Sequence, residues 1–490
     1  DSKGHGTDKY YGENLTIEGR VLQSFNTRHV VKGLDDAFAE YVNKFGEPPA
    51  DTFTHLPSDL SSDAFYKDFM KYSTPVEVGT VNIENFEKAV QAVVELLEQQ
   101  GFEQGEFSPE MDFYKILNSF NLDTAMGALY QCKKKDVLPM ASHEQLATWF
   151  WNSLENLATG KLGLWKASLK AELRPKEKVL EKKTRVFTAA PFDVSFGAKA
   201  FVDDFNNKFY ATQAGSNWTV GINKFNCGWD ELARRFNPDW KFIDADGSRY
   251  DSSLTPLLFN AVLRIRQHFL RANGFERRML SNFYTQLVWT PISTITGQIV
   301  KKNKGGPSGQ PSTVVDNTMM LMIAVEYAKL QYGVTDLKYV CNGDDLILNA
   351  PQGVCETIRA NFSHSFKELG LTYEFEQEVD SIDQVEYMSH KWIDCGGVLI
   401  PKLKPERIVS VLQWNKSLDL ASQANKINAA WIESFGYGDL SKFIREYANW
   451  WGERNGQVGF LCSEEKVASL YLTNDVTIHT EEHDEFVFHS

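Results

Sequence analysis

Two adjacent aspartates stand between two apolar runs in the segment YVCNGDDLILNA, residues 339–350. Asp344 and Asp345 would repel each other and raise each other's pKa unless a cation neutralised them. Carboxylate oxygens favour Mg²⁺ or Mn²⁺. The alternative is a polar turn, because Asn342-Gly343 is itself a hairpin signal and so short a motif arises easily by chance. Taken alone, the tripeptide indicates a metal site only weakly.

A second acidic segment, DADGSRYDSS, covers residues 244–253. We expect residues 240–246 to form a short buried strand that ends at Asp246, with Asp251 following where a helix begins. If this strand neighbours the hairpin, Asp246 joins the two hairpin aspartates, and three carboxylates can hold the two ions of a phosphoryl-transfer site. The alternative, that Asp251, Ser252 and Ser253 only start a helix, is equally good from these residues alone.

A third segment, SGQPSTVVDNT, places Thr313 and Asn317 four residues apart. On a helix these side chains share one face. They could offer a hydroxyl and an amide to a ribose 2′-hydroxyl, the group that distinguishes RNA from DNA. The same residues alone favour a plainer interpretation, a helix cap and a satisfied amide.

A basic segment, residues 161–185, contains nine Lys or Arg and three Glu, although the chain has a net charge of −14. Such a net charge is unusual for a nucleic-acid binder, but a local basic strip can still steer an anionic ligand. A solvated charged face is the ordinary alternative. The candidates for contact with a triphosphate are Lys170, Arg174, Lys178 and Arg185.

The elements that must position these groups follow from periodicity. We expect a hairpin over 337–350, a helix from Thr313 to about Lys329, and a helix with Thr255 as its N-cap and Pro256 in its first turn. A helix is also expected over 86–97, a mobile Gly/Pro loop over 304–309, and mostly helices from Pro405 onward. The pattern predicts an α+β fold, organised as one body with subdomains.

Composition sets the limits. Of 490 residues, 42% are apolar and 24% charged, typical of a folded globular protein. We expect no signal peptide, and no apolar run reaches the ~20 residues that a transmembrane segment needs. Scattered cysteines without a C-x-x-C pair argue against a zinc site and suit a reducing compartment. A first residue of Asp1 suggests a trimmed chain or one cut from a precursor.

In their order along the chain, the basic segment, D-x4-D, S-G-x3-T-x3-N and GDD resemble the RNA-dependent RNA polymerases of positive-strand RNA viruses. A closer resemblance, to the nuclear inclusion b replicases of the potyvirus family, covers nearly the whole chain. It is carried by HVVKG, GALYQCKKKD, ELRPKEK, KTRVFTAAP, VDDFNN, WTVG, DADGSRYDSSLTP, SGQPSTVVDNT, NGDDL, LGLTYEF, MSH and IPKL.

The resemblance implies a closed right hand of fingers, palm and thumb, with a helical thumb and an N-terminal segment that bridges fingers and thumb. The N-terminal segment and part of the fingers would cover 1–160. The remaining bounds would be fingers 161–238 and 281–305, palm 239–280 and 306–397, and thumb with C-terminal tail 398–490.

It also implies roles for the candidate residues. Asp246 and Asp344 would be the main ligands of two Mg²⁺ or Mn²⁺ ions, with Asp345 close by. Ribose would be checked by Asp251, Thr313 and Asn317. The nucleotide would arrive past Lys170, Arg174, Lys178 and Arg185, and the flexible loop beside the templating base would contain Ser308 and Gly309.

The implied partners are an RNA template and product, NTPs, other viral replication proteins, and a viral genome-linked protein whose tyrosine hydroxyl primes synthesis. The implied location is the infected host cell, in cytoplasmic membrane-associated replication complexes, with the host nucleus as a second site. Lys133-Lys134-Lys135 is a conceivable nuclear signal, although three lysines are more often a solvated turn.

Two features depart from the family pattern. Related polymerases carry a lysine after the GDD hairpin that is thought to protonate pyrophosphate, but residues 376–384 contain none, and Thr372 stands where close relatives often have one. Lys367 and Lys391 are two lysines that could substitute, and the sequence favours neither. The C-terminal EFVFHS fits the E-x-V-x-x-Q cleavage pattern except at Ser490.

Two other functions compete with an RNA polymerase. A reverse transcriptase also uses paired aspartates, but usually in a different hairpin motif and without the Thr313/Asn317 pair. A non-catalytic scaffold would use its acidic surface to bind proteins, and would require the motifs to coincide by chance. A comparison of NTP with dNTP incorporation separates the two polymerases.

Overall fold

The computed structural model describes residues 14–21, 33–75 and 79–474. Residues 29–32 of HVVKG and the C-terminal EFVFHS lie outside these ranges. The strands of the described ranges are β1 (Leu15–Arg20), β2 (Gly33–Leu34), β3 (His55–Pro57), β4 (Trp165–Leu169), β5 (Leu173–Pro175), β6 (Val186–Ala189), β7 (Lys241–Ser248), β8 (Pro291–Ser293), β9 (Gln298–Lys302), β10 (Lys338–Asn342), β11 (Asp345–Ala350), β12 (Thr372–Phe375), β13 (Lys391–Cys395), β14 (Val398–Lys402) and β15 (Trp414–Asn415).

Helices alternate with these strands and dominate the C-terminal part. They are α1 (Asp36–Phe45), α2 (Ser62–Phe69), α3 (Ile83–Gln99), α4 (Phe113–Leu117), α5 (Lys134–Val137), α6 (His143–Thr159), α7 (Lys176–Leu180), α8 (Phe192–Ala211), α9 (Gly228–Arg234), α10 (Tyr250–Ser253), α11 (Pro256–Phe269), α12 (Gly274–Val288), α13 (Thr313–Tyr332), α14 (Gln352–Glu368), α15 (Pro405–Gln413), α16 (Leu420–Glu433), α17 (Gly438–Asn455) and α18 (Glu464–Leu472). Across the described ranges, no helix is both long and apolar enough to cross a bilayer.

Two sheets organise the chain. A five-stranded sheet has the order β1-β9-β8-β4-β6, and a four-stranded sheet, here called the central sheet, has the order β10-β11-β7-β12. Every pairing in the central sheet is antiparallel. The expected mixed class of helices and strands is therefore confirmed.

The central sheet has two buried faces because its strands alternate between two hydrophobic clusters. Ala245 and Leu346 belong to the largest core, which includes the buried side chains of α11, α13 and α14. Phe242 and Ile347 belong to a second cluster on the opposite face. A third cluster joins α1 to the C-terminal helices α15–α18. Helix α13 is apolar nearly all round, as a helix inside a core must be, and packs against α3, α11 and α14.

Most local expectations are confirmed with small shifts of boundary. The strand expected over 240–246 runs to Ser248, and α13 runs to Tyr332, where Gly333 at φ +63° ends it. Helix α11 begins after Thr255, so Thr255 occupies the expected N-cap position. Its side chain, however, makes no capping hydrogen bond.

The Gly/Pro loop over 304–309, which was expected to be mobile, is mostly buried. Lys304 Nζ donates to the carbonyl of Ser252 at 2.8 Å, and the Gly306 amide donates to the carbonyl of Asp251 at 2.8 Å. The glycines here allow close backbone packing.

Candidate active site

The central sheet brings the separate acidic segments together. In the register of β11 with β7, Leu346 pairs with Ala245, so Asp345 lies one step further along, beside Asp246. Side chains alternate between faces with a period of two, so Asp345, Asp246 and Asp244 point to the same face. The expectation that the two strands are neighbours is confirmed.

The turn that carries Asp344 is held from two sides. Asn342 pairs with Asp345, which leaves Gly343 and Asp344 as a two-residue loop, one position later than expected. Gly343 has φ +59°, a conformation that favours glycine in such hairpins. The Gly343 amide donates to Thr318 Oγ1 on α13 at 2.8 Å, and the Tyr373 hydroxyl on β12 donates to the Asp344 carbonyl at 2.6 Å. The position of Asp344 therefore depends on both neighbouring elements.

Negative charge in this cluster is only partly compensated. Burial and the neighbouring aspartates raise the pKa of Asp345 to about 7, and burial together with Asp246 raises the pKa of Asp244 to about 7. Burial also raises the pKa of Asp344, while the Arg185 guanidinium opposes this shift. A bound cation would relieve the repulsion.

The chemistry of this donor set fits Mg²⁺ or Mn²⁺, because Asp246, Asp344 and Asp345 offer only hard carboxylate oxygens. Across the described residues, no three His, Cys, Asp or Glu side chains converge closely enough to form a complete metal-ligand cluster. The strands thus place the candidate ligands as neighbours without a preformed cage.

Of the three residues expected to recognise ribose, Asp251 and Asn317 are joined by a hydrogen bond and Thr313 is not part of it. Asn317 Nδ2 on α13 donates to Asp251 Oδ1 at 2.8 Å, and the Tyr250 hydroxyl donates to the Asn317 carbonyl at 2.7 Å. Burial and the nearby Asp344 raise the pKa of Asp251 to about 6. The Thr313 hydroxyl instead bonds within its own turn, 3.0 Å from the Gln310 carbonyl.

One large cavity, of about 1710 Å³, joins these groups. Its wall holds both hairpin aspartates and residues from distant parts of the chain. The expected site residues that line it are Lys170, Arg185, Asp251, Ser308, Gly309, Thr313, Asn317, Asp344 and Asp345. Asp246, Arg174 and Lys178 are not among its lining residues, although Asp246 adjoins it through Asp345.

The basic segment is divided by the structure. The Lys170 amide donates to the Arg185 carbonyl at 2.9 Å, which holds these two cations side by side on the cavity wall. Arg185 Nε donates to Glu172 at 2.9 Å, and the charge of Arg185 acts on Asp344. Arg174 instead bonds the carbonyl of Lys183, and Lys178 lies exposed on α7. Two of the four expected phosphate contacts therefore face the cavity.

Gly309 is required by close packing against β6. Its amide donates to the Thr188 carbonyl at 2.7 Å, and the Ala190 amide donates to the Gly309 carbonyl at 3.2 Å. A Cβ at position 309 would lie 2.6 Å from the Thr188 oxygen, closer than atoms tolerate. Ser308 Oγ accepts the Thr188 amide at 3.3 Å. The segment expected to lie beside the templating base is thus tied to the wall of the cavity.

Several cavity residues were not expected from the sequence. Asp244 could have been found, because the alternation in DAD puts it on the face of Asp246. No motif or pattern in the sequence pointed to Lys71. The triplet Lys133–Lys135 lines the cavity, and burial lowers the pKa of its middle lysine to about 8. Lys367 and Lys391 are not among the lining residues.

The comparisons with known proteins agree with this arrangement. A family model described as "Viral RNA-dependent RNA polymerase" matches residues 35–451. The chain belongs to the viral RNA-dependent RNA polymerase family. The expected class of enzyme, an RNA-directed RNA polymerase, is confirmed at the level of that family.

Individual relatives of this chain are genome polyproteins of viruses. It is 44% identical to that of Sweet potato mild mottle virus (isolate Salazar) over 96% of the chain, and 45% identical to that of Brome streak virus (strain German) over 95%. It is 44% identical to that of Plum pox potyvirus (strain El amar) over 90%. The resemblance to the potyvirus-family replicase is confirmed. The chain spans 14%, 50% and 30% of these three relatives, respectively.

Proposed function

We propose that this chain copies the genome of a positive-strand RNA virus, as a template-directed RNA polymerase that uses two metal ions. The observation that carries the proposal is the position of Asp246 beside the hairpin aspartates Asp344 and Asp345. They adjoin a cavity that also holds the Asp251–Asn317 pair. The three aspartates, the Asp251–Asn317 pair that would recognise the sugar, and the cations of the cavity together fit nucleotidyl transfer better than any one of these features alone.

Different residues of the chain would bind the metal ions and the triphosphate. Asp246, Asp344 and Asp345 would hold two Mg²⁺ or Mn²⁺ ions, which supply activation of a 3′-hydroxyl and neutralisation of the leaving pyrophosphate. Lys170 and Arg185 would receive the triphosphate, Arg185 as a fork already oriented by Glu172. Their charges orient the nucleotide with its α-phosphate toward the acidic face.

Sugar selection favours an RNA polymerase over a reverse transcriptase. The Asp251–Asn317 hydrogen bond, 2.8 Å long, holds a carboxylate and an amide together in the cavity. Such a pair can exchange hydrogen bonds with a ribose 2′-hydroxyl, which is both donor and acceptor. A deoxyribose would leave these buried polar groups without that partner, and an unpaired buried group is costly.

The hand-shaped arrangement is part of the proposal. The central sheet would be the palm, residues 161–238 and 281–305 the fingers, and the region from 398 onward the thumb. Support comes from the N-terminal region, where β1 pairs with β9 and β2 pairs with β15. A buried ion pair of Lys426 Nζ with Asp35 Oδ2, 2.5 Å apart, strengthens the second connection. This segment would close the hand.

The partners and location follow from the same proposal. The cavity would bind an RNA template with its product, and NTPs. A viral genome-linked protein would provide a tyrosine hydroxyl as primer, and other viral replication proteins would assemble with the polymerase. The site of action would be cytoplasmic membrane-associated complexes of an infected host cell, with the host nucleus as a second location.

Primer extension tests the function. Purified protein, an RNA primer annealed to an RNA template, NTPs and Mg²⁺ or Mn²⁺ should yield a product whose sequence follows the template. Asp344→Ala should abolish synthesis and keep the unfolding temperature of the wild type. A fully active Asp344→Ala protein would refute the site, and a wild type without template-dependent synthesis would refute the function.

A further inference from the structure

The segment WTVG, residues 218–221, lies against the outer edge of the central sheet, next to β10. The Thr219 amide donates to the Cys341 carbonyl at 3.0 Å, and the Cys341 amide donates to the Asn217 carbonyl at 2.9 Å. These two hydrogen bonds extend the sheet by a short parallel pairing. The segment is therefore fixed beside the strand that leads into the turn of Asp344.

The Thr219 hydroxyl connects two turns of the chain. Asn342, the last residue before the turn that carries Asp344, donates from Nδ2 to Thr219 Oγ1 at 3.1 Å. The Tyr387 hydroxyl lies 2.7 Å from the same oxygen. Because a hydroxyl offers one donor and two acceptor positions, Thr219 can serve both partners at once. All three side chains are buried, and Thr219 has no exposed surface.

Tyr387 begins a tight turn that reaches the same cavity as the hairpin aspartates. The Tyr387 amide donates to the His390 carbonyl at 2.8 Å, and the His390 amide donates to the Tyr387 carbonyl at 2.9 Å. Between them, Met388 and Ser389 have φ values of +53° and +66°, a left-handed backbone that is unfavourable for residues other than glycine. Met388 lines the cavity. Such backbone persists only where its surroundings hold it, and the contact of Tyr387 with Thr219 is one such restraint.

The hydroxyl of Thr219 is the group on which the Asn342 amide depends in this arrangement. Loss of the hydroxyl would leave a buried N–H without its acceptor, which is costly. The Asn342 side chain would then turn toward another acceptor. Because Asn342 is joined directly to Gly343, that movement would pass into the turn that carries Asp344.

We propose that Thr219 is a positioning residue for the Asp344 carboxylate, which acts by holding the side chain of Asn342. The inference rests on the proposed function, since the Asp344 turn would bind the metal ions of that reaction. Three hydroxyl groups would then hold this turn. Those of Thr318 and Tyr373 bond its backbone, and that of Thr219 bonds the side chain that precedes it.

Single-nucleotide incorporation on an RNA primer-template tests the role of the hydroxyl. Thr219→Val keeps the branching of the side chain and removes the hydroxyl. It should lower kcat by about ten- to hundredfold, because a small misplacement of a reacting group is enough for such a loss. KM for NTP should stay near the wild-type value, because the cations that would receive the triphosphate are unchanged. Thr219→Ser should restore most of kcat.

The matched control is Thr290→Val. Thr290 is as buried as Thr219, but its hydroxyl bonds carbonyl groups at the end of α12, at 2.7 and 3.0 Å. Thr290→Val should lower the unfolding temperature and keep the wild-type kcat. A loss of kcat in Thr290→Val as large as that in Thr219→Val would overturn the inference, because any buried threonine would then have the same effect.

A second measurement does not depend on activity. Without nucleotide, Mg²⁺ should raise the unfolding temperature of the wild type, because an ion that binds only the folded protein stabilises it. The rise should be smaller in Thr219→Val and of wild-type size in Thr290→Val. An equal rise in folded Thr219→Val would overturn the positioning role.

Asn342→Leu removes the same hydrogen bond from its other end, and it is the deciding variant if Thr219→Val does not fold. It should also lower kcat, and adding Thr219→Val to it should lower kcat little further, because both substitutions break one contact. Losses that multiply, or a wild-type kcat in either folded single variant, would overturn the inference and leave the polymerase function intact. A wild type without template-dependent synthesis would instead contradict the function itself.

Discussion

Replacement of Asp251 by Asn isolates the sugar-recognition pair, because it keeps the size of the side chain and removes its charge. In the wild type, Asp251 Oδ1 accepts the Asn317 amide at 2.8 Å within the cavity. Hydrogen bonds to charged groups contribute about 1.5–3 kcal/mol. At about 1.4 kcal/mol per factor of ten, Asp251→Asn should lower the NTP-over-dNTP preference by roughly tenfold to 150-fold.

The same pair predicts a pH dependence. Burial and Asp344 raise the pKa of Asp251 to about 6, so the carboxylate is charged above this pH and protonated below it. The preference for NTPs should be complete near pH 7.5 and should fall as the pH decreases through 6. At pH 5, about a tenth of Asp251 would remain charged. Asp251→Asn should show a preference that does not change over this range.

Single-nucleotide incorporation with NTP and dNTP, from pH 5 to 7.5, measures both effects. Taking the ratio of the two kcat/KM values cancels the titration of groups that affect both nucleotides, such as Asp345. Ser253→Ala, in the same short helix, is a control that should keep the wild-type ratio. A wild-type preference in Asp251→Asn, or a wild-type ratio that is flat across pH 6, would refute the assignment.

Three further experiments test packing, charge and metal binding. Gly309→Ala should lower both the unfolding temperature and the rate of synthesis, because its Cβ would lie 2.6 Å from a backbone oxygen. The control is Gly353→Ala, whose Cβ meets open space, and it should be neutral or stabilise the protein by about 0.5–1 kcal/mol. Arg266→Met should lower the free energy of unfolding, measured with urea, by about 3–5 kcal/mol, because it leaves Asp316 buried without its cation. Adding Asp316→Asn to this variant should recover part of the lost stability. If the two substitutions instead gave additive losses, the buried ion pair would not explain the effect. Mg²⁺ should raise the unfolding temperature more at pH 8 than at pH 5.5, because the pKa of Asp345 is about 7 and its carboxyl group is protonated at the lower pH. Asp345→Asn should reduce this difference between the two pH values. Equal shifts of the unfolding temperature at both pH values would count against metal binding by Asp345.

Local chemistry is what the sequence predicts well. The hairpin follows from Asn342-Gly343 between apolar runs, and α13 follows from its long apolar pattern, because turn and helix preferences depend on neighbours along the chain. The pairing of β7 with β11 was a hypothesis about tertiary structure. It was plausible because a two-metal site requires carboxylates from both acidic segments. Their register then brought Asp246 to Asp345.

Contacts between distant segments are what the sequence could not predict. Asp316 is a charged residue in the mostly apolar helix α13, which indicates a buried partner, but nothing in the sequence identified Arg266, fifty residues earlier, as the donor. Lys71 lines the cavity in a turn that Lys304 and Gly306 connect to the turn of Asp251, through contacts that span up to 234 positions of the chain. Such tertiary pairing depends on the path of the whole chain.

The most direct test of the account is primer extension by Asp246→Asn beside the wild type. The central claim is that β7 brings Asp246 to the hairpin aspartates to complete one catalytic site, so this variant should fold normally and lose template-dependent synthesis. Asp239→Asn, an exposed aspartate just before the same strand, should remain fully active. Wild-type synthesis by folded Asp246→Asn would contradict the account.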